Sequence, residues 1–176
     1  MKPRGVEQRN AGLAWVRANV QKTPRSVVYF MDDDNTYSIE LFEQMKLVKS
    51  NGVAVWPVGL VGGLMVEKPV LDEDNQVLGF NAAWRPERPF PLDMAGFAIS
   101  TDLLLKYPEA VFSYEVERGY QESEILRYLI VVRDMQPLAN LCRDILVWHT
   151  RTETPKLDAE IKLRKDGHPS DSGMEV

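Results

Sequence analysis

Asp32, Asp33 and Asp34 stand side by side directly after the apolar run Ser26–Met31. Like charges that close are unfavourable unless a cation compensates them. Carboxylate oxygens suit Mg²⁺ or Mn²⁺, which can bridge a protein to a diphosphate, and open α/β sheets bind ligands at the C-terminal ends of their strands. The other reading of the same residues is a solvated acidic turn with a helix-capping Asp.

Further along, His149 and Arg151 lie two apart after the apolar run Ile145–Trp148. An extended backbone aims both to one side, where imidazole and guanidinium could grip one phosphate group, though a His at a strand end also serves as a plain surface residue. Arg4 and Arg9 flank Gly5-Val6-Glu7-Gln8 and could meet an anionic ligand or simply be solvated. The segment Trp84–Asp93 combines an aromatic platform, Arg85 and Arg88, and a carboxylate on a proline-stiffened loop. That mixture suits sugar hydroxyls and faces, or a packed structural loop. Glu122 opens a helical stretch, where it can serve the N-terminal dipole, and Glu67, like Glu122, reads as a surface carboxylate when taken alone.

Asp32-x-Asp34-x-Thr36 after an apolar strand also matches the nucleophile loop of haloacid-dehalogenase-type phosphatases. That chemistry needs a downstream lysine and a further acidic pair at a strand end, where this chain has Trp148-His149-Thr150-Arg151. A phosphatase is therefore the weaker reading.

The elements that must position these residues follow from periodicity. Leu13, Val16 and Val20 recur at helical spacing over 6–20, and Ser26–Met31 reads as a buried strand. Ser38 can cap a helix whose face is Leu41, Phe42, Met45 and Val48. A second buried strand spans Val53–Val61, and Leu64–Leu71 with Val77–Trp84 form a hairpin across the polar turn Asp72–Asn75. Met94–Ile99 is a further strand candidate, Gln121–Val131 a helix with Ile125, Leu126, Leu129 and Ile130 on one stripe, and Ile145–Trp148 a late strand. The alternation predicts an α/β sandwich, with Asp32–Asp34 at the end of a central strand and Glu122 facing them across a cleft. Residues 156–176 are polar and unpatterned, so a tail that is loose or held by a partner is expected.

Composition narrows the function classes. The chain has 176 residues, 44% hydrophobic and 27% charged, the ordinary range for one globular domain. A net charge of -5 with dispersed Lys and Arg offers no surface for nucleic acid. The single cysteine, Cys142, cannot form an internal disulfide. No apolar run reaches the roughly 20 residues of a membrane-spanning helix, so the chain as written is expected to be soluble.

Taken together, the blocks Arg4–Asn10, Val28–Ser38, Trp56–Leu64, Arg88–Phe97 and Val147–Glu153, in this order, resemble the beta-1,3-glucuronyltransferase family. The likeness runs from about Arg4 to Pro155 and returns weakly at Met174-Glu175-Val176. It implies an α/β glycosyltransferase-A-type fold, N-terminally truncated relative to the family's catalytic domain, over residues 1–155, with 156–176 as a C-terminal tail. It also implies Mn²⁺-dependent, inverting transfer of glucuronic acid from UDP-glucuronate to the 3-hydroxyl of a terminal galactose, tilted toward the proteoglycan linkage region. A homodimer held in the Golgi membrane by a helix preceding this chain would be the setting.

By position, the resemblance makes Asp34 the metal ligand, supported by Asp33, with Asp32 contacting the donor. Arg4, Arg9, His149 and Arg151 would hold the nucleotide diphosphate and glucuronate. Glu122 would be the catalytic base, and Glu67, Trp84, Arg88 and Asp93 would bind the acceptor sugars. The family also places a glutamine from the partner's tail in the acceptor site; counting from His149, the equivalent here is Ala159. A non-catalytic fragment that pairs with a longer subunit is the alternative to an active enzyme.

Overall fold

The structure, a computed structural model, describes residues 5–20, 26–151 and 154–176. Helix α1 (Val6–Asn19) follows Gly5, whose φ of 77° reverses the chain just before the first turn. Only Val6 and Leu13, two turns apart, are buried on it. Polar bonds do the rest of the docking. The Asn10 amide donates to the Phe112 carbonyl at 2.8 Å and accepts from its N–H at 2.9 Å. Arg17 donates to the carbonyl oxygens of Leu104, Tyr107 and Ala110. These contacts fix the helix face that carries Arg9.

Strands β1 (Val27–Val28), β3 (Val53–Val55), β7 (Phe97–Ser100) and β8 (Gln136–Pro137) make a four-stranded sheet in the order β1-β7-β3-β8. β7 runs antiparallel to β1 and β3, while β8 runs parallel to β3. Strands β2 (Thr36–Tyr37), β4 (Val58–Gly59), β5 (Val66–Leu71), β6 (Val77–Asn81) and β9 (Val147–Trp148) make a second sheet, ordered β2-β9-β4-β5-β6. Helices α2 (Ile39–Met45), α3 (Thr101–Lys106) and α4 (Gln121–Leu126) complete a mixed α/β architecture, and a last helix spans Asp158–Lys165.

Both faces of the central pair β3 and β7 are buried, and their residues divide by size. Val53, Val55, Phe97 and Ile99 point into one core with Leu104, Phe112 and Ile125. Ala54 and Ala98, which pair directly, point into the other. Two alanines facing each other leave the depth that Leu41 of α2 and the Trp56 indole fill. Ser38 caps α2 as the sequence suggests, accepting from the Glu40 N–H. Leu41 and Met45 are the buried face of α2, whereas Phe42 is 43% exposed and turns away from it.

Several elements are shorter than their apolar runs. The Ser26–Met31 run yields only the two-residue β1, at the edge of its sheet and not at its centre. Val53–Val61 breaks into β3 and β4 because Trp56 turns out of the ladder. Its backbone N–H bonds to the Gly96 carbonyl and its indole N–H to the Ala95 carbonyl, and Pro57 has no N–H to continue. That break moves the chain from one sheet to the other. Met94–Gly96 forms a 3₁₀ turn capped by Asp93 before β7 begins, and the Gln121–Val131 helix ends at Leu126. The tail is not loose: its helix packs back on the β4–β5 turn, with Glu160 and Ser170 buried.

A methyl group separates tight from open joints in this fold. A Cβ added at Gly59 would overlap the Trp148 ring and crowd Ile145, whereas at Gly79 it would meet nothing. Gly59→Ala should therefore cost about 1–3 kcal/mol in chemical denaturation and Gly79→Ala less than about 0.5 kcal/mol. Equal effects from the two substitutions would contradict the packing of β4 against β9.

Candidate active site

Four joints of the fold meet around one cleft of about 560 Å³. Strand β5 supplies Glu67, opposite Val58 of β4, with its carboxylate turned into the cleft while Val66 and Lys68 face the other way. The proline-rich loop supplies Trp84, Arg88 and Asp93, and the first turn of α4 supplies Glu122. Arg88 is buried and ties these pieces together. It donates to the Gly119 carbonyl at 2.8 Å and to the Arg85 and Trp84 carbonyls at 3.3 Å, and its guanidinium lies over the Trp84 ring at 4.9 Å. Its Nη1 also stands 3.8 Å from Glu122 Oε2, a charge contact too long to be a hydrogen bond.

Burial dominates the electrostatics. It raises the Glu67 carboxyl to about 8, helped by Asp93 and Glu122 and opposed by Arg88. It raises Glu122 to about 7, with Asp93 adding to the shift and Arg88 and Arg9 opposing it. Asp93 is pushed up as well, again by burial first, against the Ala95 N–H that its side chain accepts at 2.9 Å and the charge of His149. Glu122 Oε2 is shielded from solvent and has no hydrogen-bond partner among the described residues. A carboxylate oxygen left unpaired in such a place is costly, and it has the geometry of an acceptor waiting for a ligand hydroxyl.

Arg9 lines the same cleft and pairs with Asp32 at 3.3 Å. Asp32 is held through its backbone, whose carbonyl accepts from the Tyr37 hydroxyl at 2.8 Å. The Asp34 carbonyl accepts from Thr150 Oγ1 at 2.8 Å, which fastens the acidic turn to the end of β9. The Asp33 and Asp34 residues are exposed. Among the described residues no three His, Cys, Asp or Glu side chains converge into a closed metal cage. Exposed hard-oxygen donors of this kind fit Mg²⁺ or Mn²⁺, which takes one or two protein carboxylates and completes its shell with phosphate and water. His149, whose N–H bonds to the Gly59 carbonyl, lines an adjoining hollow of about 200 Å³ that shares Gly62 and Arg151 with the main cleft.

Of the residues singled out from the sequence, Arg9, Glu67, Trp84, Arg88, Asp93, Glu122 and Arg151 thus line one cleft. His149 stands in the next hollow, and Asp32 joins through Arg9. Asp33 and Asp34 lie outside the cleft lining, and Arg4 lies outside the described residues. Glu67 and Glu122, which read as surface carboxylates when taken singly, face the cleft instead. Glu67 is only 5% exposed and the Glu122 side chain 14%. The cleft also includes Arg118, Gly119 and Gln121, which the sequence reading passed over. Gly119 has a φ of 84°, and any Cβ there would overlap the Trp84 ring. Arg118-Gly119 before an acidic helix start was the available signal.

The family model described as glycosyltransferase family 43 matches residues 1–153. The chain belongs to that family. It is 65% identical to galactosylgalactosylxylosylprotein 3-beta-glucuronosyltransferase I of Drosophila melanogaster, over all of this chain and 58% of that protein. It is 50% identical to galactosylgalactosylxylosylprotein 3-beta-glucuronosyltransferase 3 of Mus musculus, over all of this chain and 55% of that protein. The Homo sapiens protein of the same name is also 50% identical, over 99% of this chain and 54% of its own length. The chain spans a little over half the length of these relatives.

The raised carboxyls have a thermodynamic signature. Each keeps its proton in the folded chain after losing it in the unfolded one, so folding stability is full below the unfolded pKa of about 4.3 and falls as pH rises. The loss runs through about 7 for Glu122 and about 8 for Glu67. Glu67→Gln and Glu122→Gln should therefore raise Tm above the parent at pH 9 and converge on it at pH 4. A parent whose Tm advantage over the variants grows with pH would contradict the assigned shifts.

Proposed function

We propose that this cleft moves glucuronic acid from UDP-glucuronate to the 3-hydroxyl of a terminal galactose, with inversion, in the linkage region of proteoglycans, on a glycosyltransferase-A-type fold. The observation that carries the reading is Glu122 Oε2: shielded, without a hydrogen-bond partner among the described residues, on a carboxyl whose pKa is raised to about 7 inside a sugar-sized cleft. The relatives, named as 3-beta-glucuronosyltransferases of a galactosylgalactosylxylosyl protein, supply the substrate class.

In this reading Glu122 takes the proton of the acceptor hydroxyl as that oxygen bonds to the anomeric carbon of glucuronate. The bond from that carbon to UDP breaks on the opposite face, and its electron pair leaves on the phosphate oxygen. Arg9, His149 and Arg151 meet the charge that develops on the diphosphate and the glucuronate carboxylate, with Asp32 orienting Arg9. Asp34, with Asp33 in support, would hold Mn²⁺, which when bound supplies positive charge to the leaving diphosphate. Glu67, protonated at neutral pH, donates to an acceptor hydroxyl, while Asp93 accepts, Arg88 orients and Trp84 offers its ring to the sugar face. The family resemblance alone supports a Golgi-lumenal homodimer as the working form.

Transfer should be measured with and without Mn²⁺ on this chain and on one extended N-terminally to the length of its relatives. Glu122→Ala should lower turnover about 10²- to 10⁴-fold and leave UDP affinity intact, whereas Asp34→Ala should weaken UDP binding in titration calorimetry. The rate should fall as pH drops through about 7, where Glu122 takes up its proton. Phosphate release that survives Glu122→Gln but not Asp32→Asn would overturn the reading in favour of a phosphatase.

A further inference from the structure

The acidic turn leaves the core that holds Leu41 and Trp56 at Tyr29 and returns to it at Tyr37. Tyr29 continues the alternation of β1, which sends Val27 to the same core and Val28 and Phe30 to the other one. The two tyrosine rings meet edge to face, with centroids 6.1 Å apart and planes at 87°, and so close the base of the turn. Neither tyrosine lines the cleft.

Each hydroxyl holds a different side of the site. Tyr37 donates to the Asp32 carbonyl at 2.8 Å, on the side where the Asp32 carboxylate pairs with Arg9. Tyr29 donates to the Ala95 carbonyl at 3.0 Å, which also accepts from the Trp56 indole N–H at 2.8 Å. The Ala95 N–H in turn holds the Asp93 carboxylate at 2.9 Å. Burial keeps the Tyr29 hydroxyl far above its ordinary pKa, with Tyr37, Asp93 and Asp32 adding to the shift, so it stays a proton donor at any working pH. Trp56 completes the row: its ring lies 5.7 Å from that of Tyr29, it is 1% exposed, and it is no part of the cleft lining. The two turns joined in this way carry like charges. Burial chiefly raises Asp93, and the charge of Asp32 adds to it. Turns that repel each other keep one separation only through a stiff spacer, and packed aromatic rings are stiff.

We infer that Tyr29 and Tyr37 are positioning residues: a two-ring bridge that fixes the donor-side turn of Asp32 against the acceptor-side turn of Asp93, and so sets the reach between the two substrates. Both act through backbone carbonyls, Tyr37 on Asp32 and Tyr29 on Ala95. The inference rests on the proposed function in naming the two sides donor and acceptor.

The test uses Tyr37→Phe and Tyr29→Phe, which keep both rings and remove one hydroxyl each; in the second the Ala95 carbonyl retains its Trp56 bond. Both are made in the chain extended N-terminally to the length of its relatives. The first readout is the Trp56 indole N–H signal in ¹⁵N NMR, assigned by triple-resonance experiments, before and after addition of UDP with Mg²⁺. UDP should shift this signal in the parent. In either variant the shift should shrink about threefold or more, while UDP affinity by calorimetry stays within about twofold of the parent. The second readout is transfer. In each variant kcat should drop about tenfold, with KM for donor and acceptor changed by less than about twofold. The double variant should lose no more than the worse single one, because the two hydroxyls serve one path. A folded Tyr37→Phe that keeps either the parent shift or the parent kcat would overturn the bridge. So would a parent whose Trp56 signal ignores bound UDP, or kcat losses that multiply in the double variant. Equal losses of kcat and of both affinities would overturn it too, because that is a merely structural role. A UDP shift that is present in the parent and lost in the variants of a protein that transfers no glucuronate would keep the bridge and sink the glucuronyl-transfer reading instead.

Discussion

The crowding of Glu67, Asp93 and Glu122 around the single guanidinium of Arg88 is the interaction on which the rest of this structure depends. Among the described residues Arg88 is the only Lys or Arg that is buried. Burial takes all three carboxyl groups out of water, and the one buried cation offsets that only in part, so they hold protons: Glu67 sits near 8, Glu122 near 7, and Asp93 is raised with them. Arg88 also spends its donors on the backbone carbonyls of Trp84, Arg85 and Gly119. The charge that makes the cleft tolerable is thus also what joins the proline-rich loop to the segment before α4. Arg88 cannot be removed without loosening both.

Regular ladder is scarce in this fold, and the site occupies the places where the ladder stops. β1, β2, β4, β8 and β9 have two residues each, and the cleft is lined from the β4–β5 turn, the 84–94 loop, the start of α4 and the end of β9. Such joints need a stiff support. The paired Ala54 and Ala98, with both sheet faces buried, provide it, because dense packing on two sides leaves β3 and β7 no direction in which to shift. The Trp56 turn is the hinge of that arrangement: one side chain both ends β3 and anchors the 3₁₀ turn that presents Asp93.

The element types were legible in the chain because period and capping are local. The Ser38 cap, the β5–β6 hairpin across Asp72–Asn75 and the first helix all read correctly. Lengths were less legible, since they depend on partners. Nothing in Val53–Val61 says that the Trp56 N–H will be taken by Gly96. The places of Glu67 and Glu122 in the cleft were invisible to residue-by-residue reading for the same reason: a lone Glu in a strand or a helix start is ordinarily solvated, and only the convergence of β5, the proline-rich loop and α4 buries them. Likeness to a family carried those positions, while Arg118, Gly119 and Gln121, although close to Glu122 in the chain, were given no place in the site. The order of the tail was not legible because its composition is polar. It is ordered by a charge–hydrogen-bond knot, which no apolar pattern announces.

Glu160 and Glu122 make the contrast that separates scaffold from site. Both are carboxylates taken largely out of water, and the desolvation cost is of the same kind for each. Glu160 recovers it from two backbone N–H groups, a hydroxyl and a guanidinium, so its environment is complete without any ligand. Glu122 recovers little: Arg88 stays at 3.8 Å and, among the described residues, Oε2 has no hydrogen-bond donor. A fold selected for stability alone would fill that gap with a donor, as it does for Glu160, so an acceptor left open among the described residues beside an otherwise well-bonded Arg88 marks where the molecule has kept room for a group that is not its own.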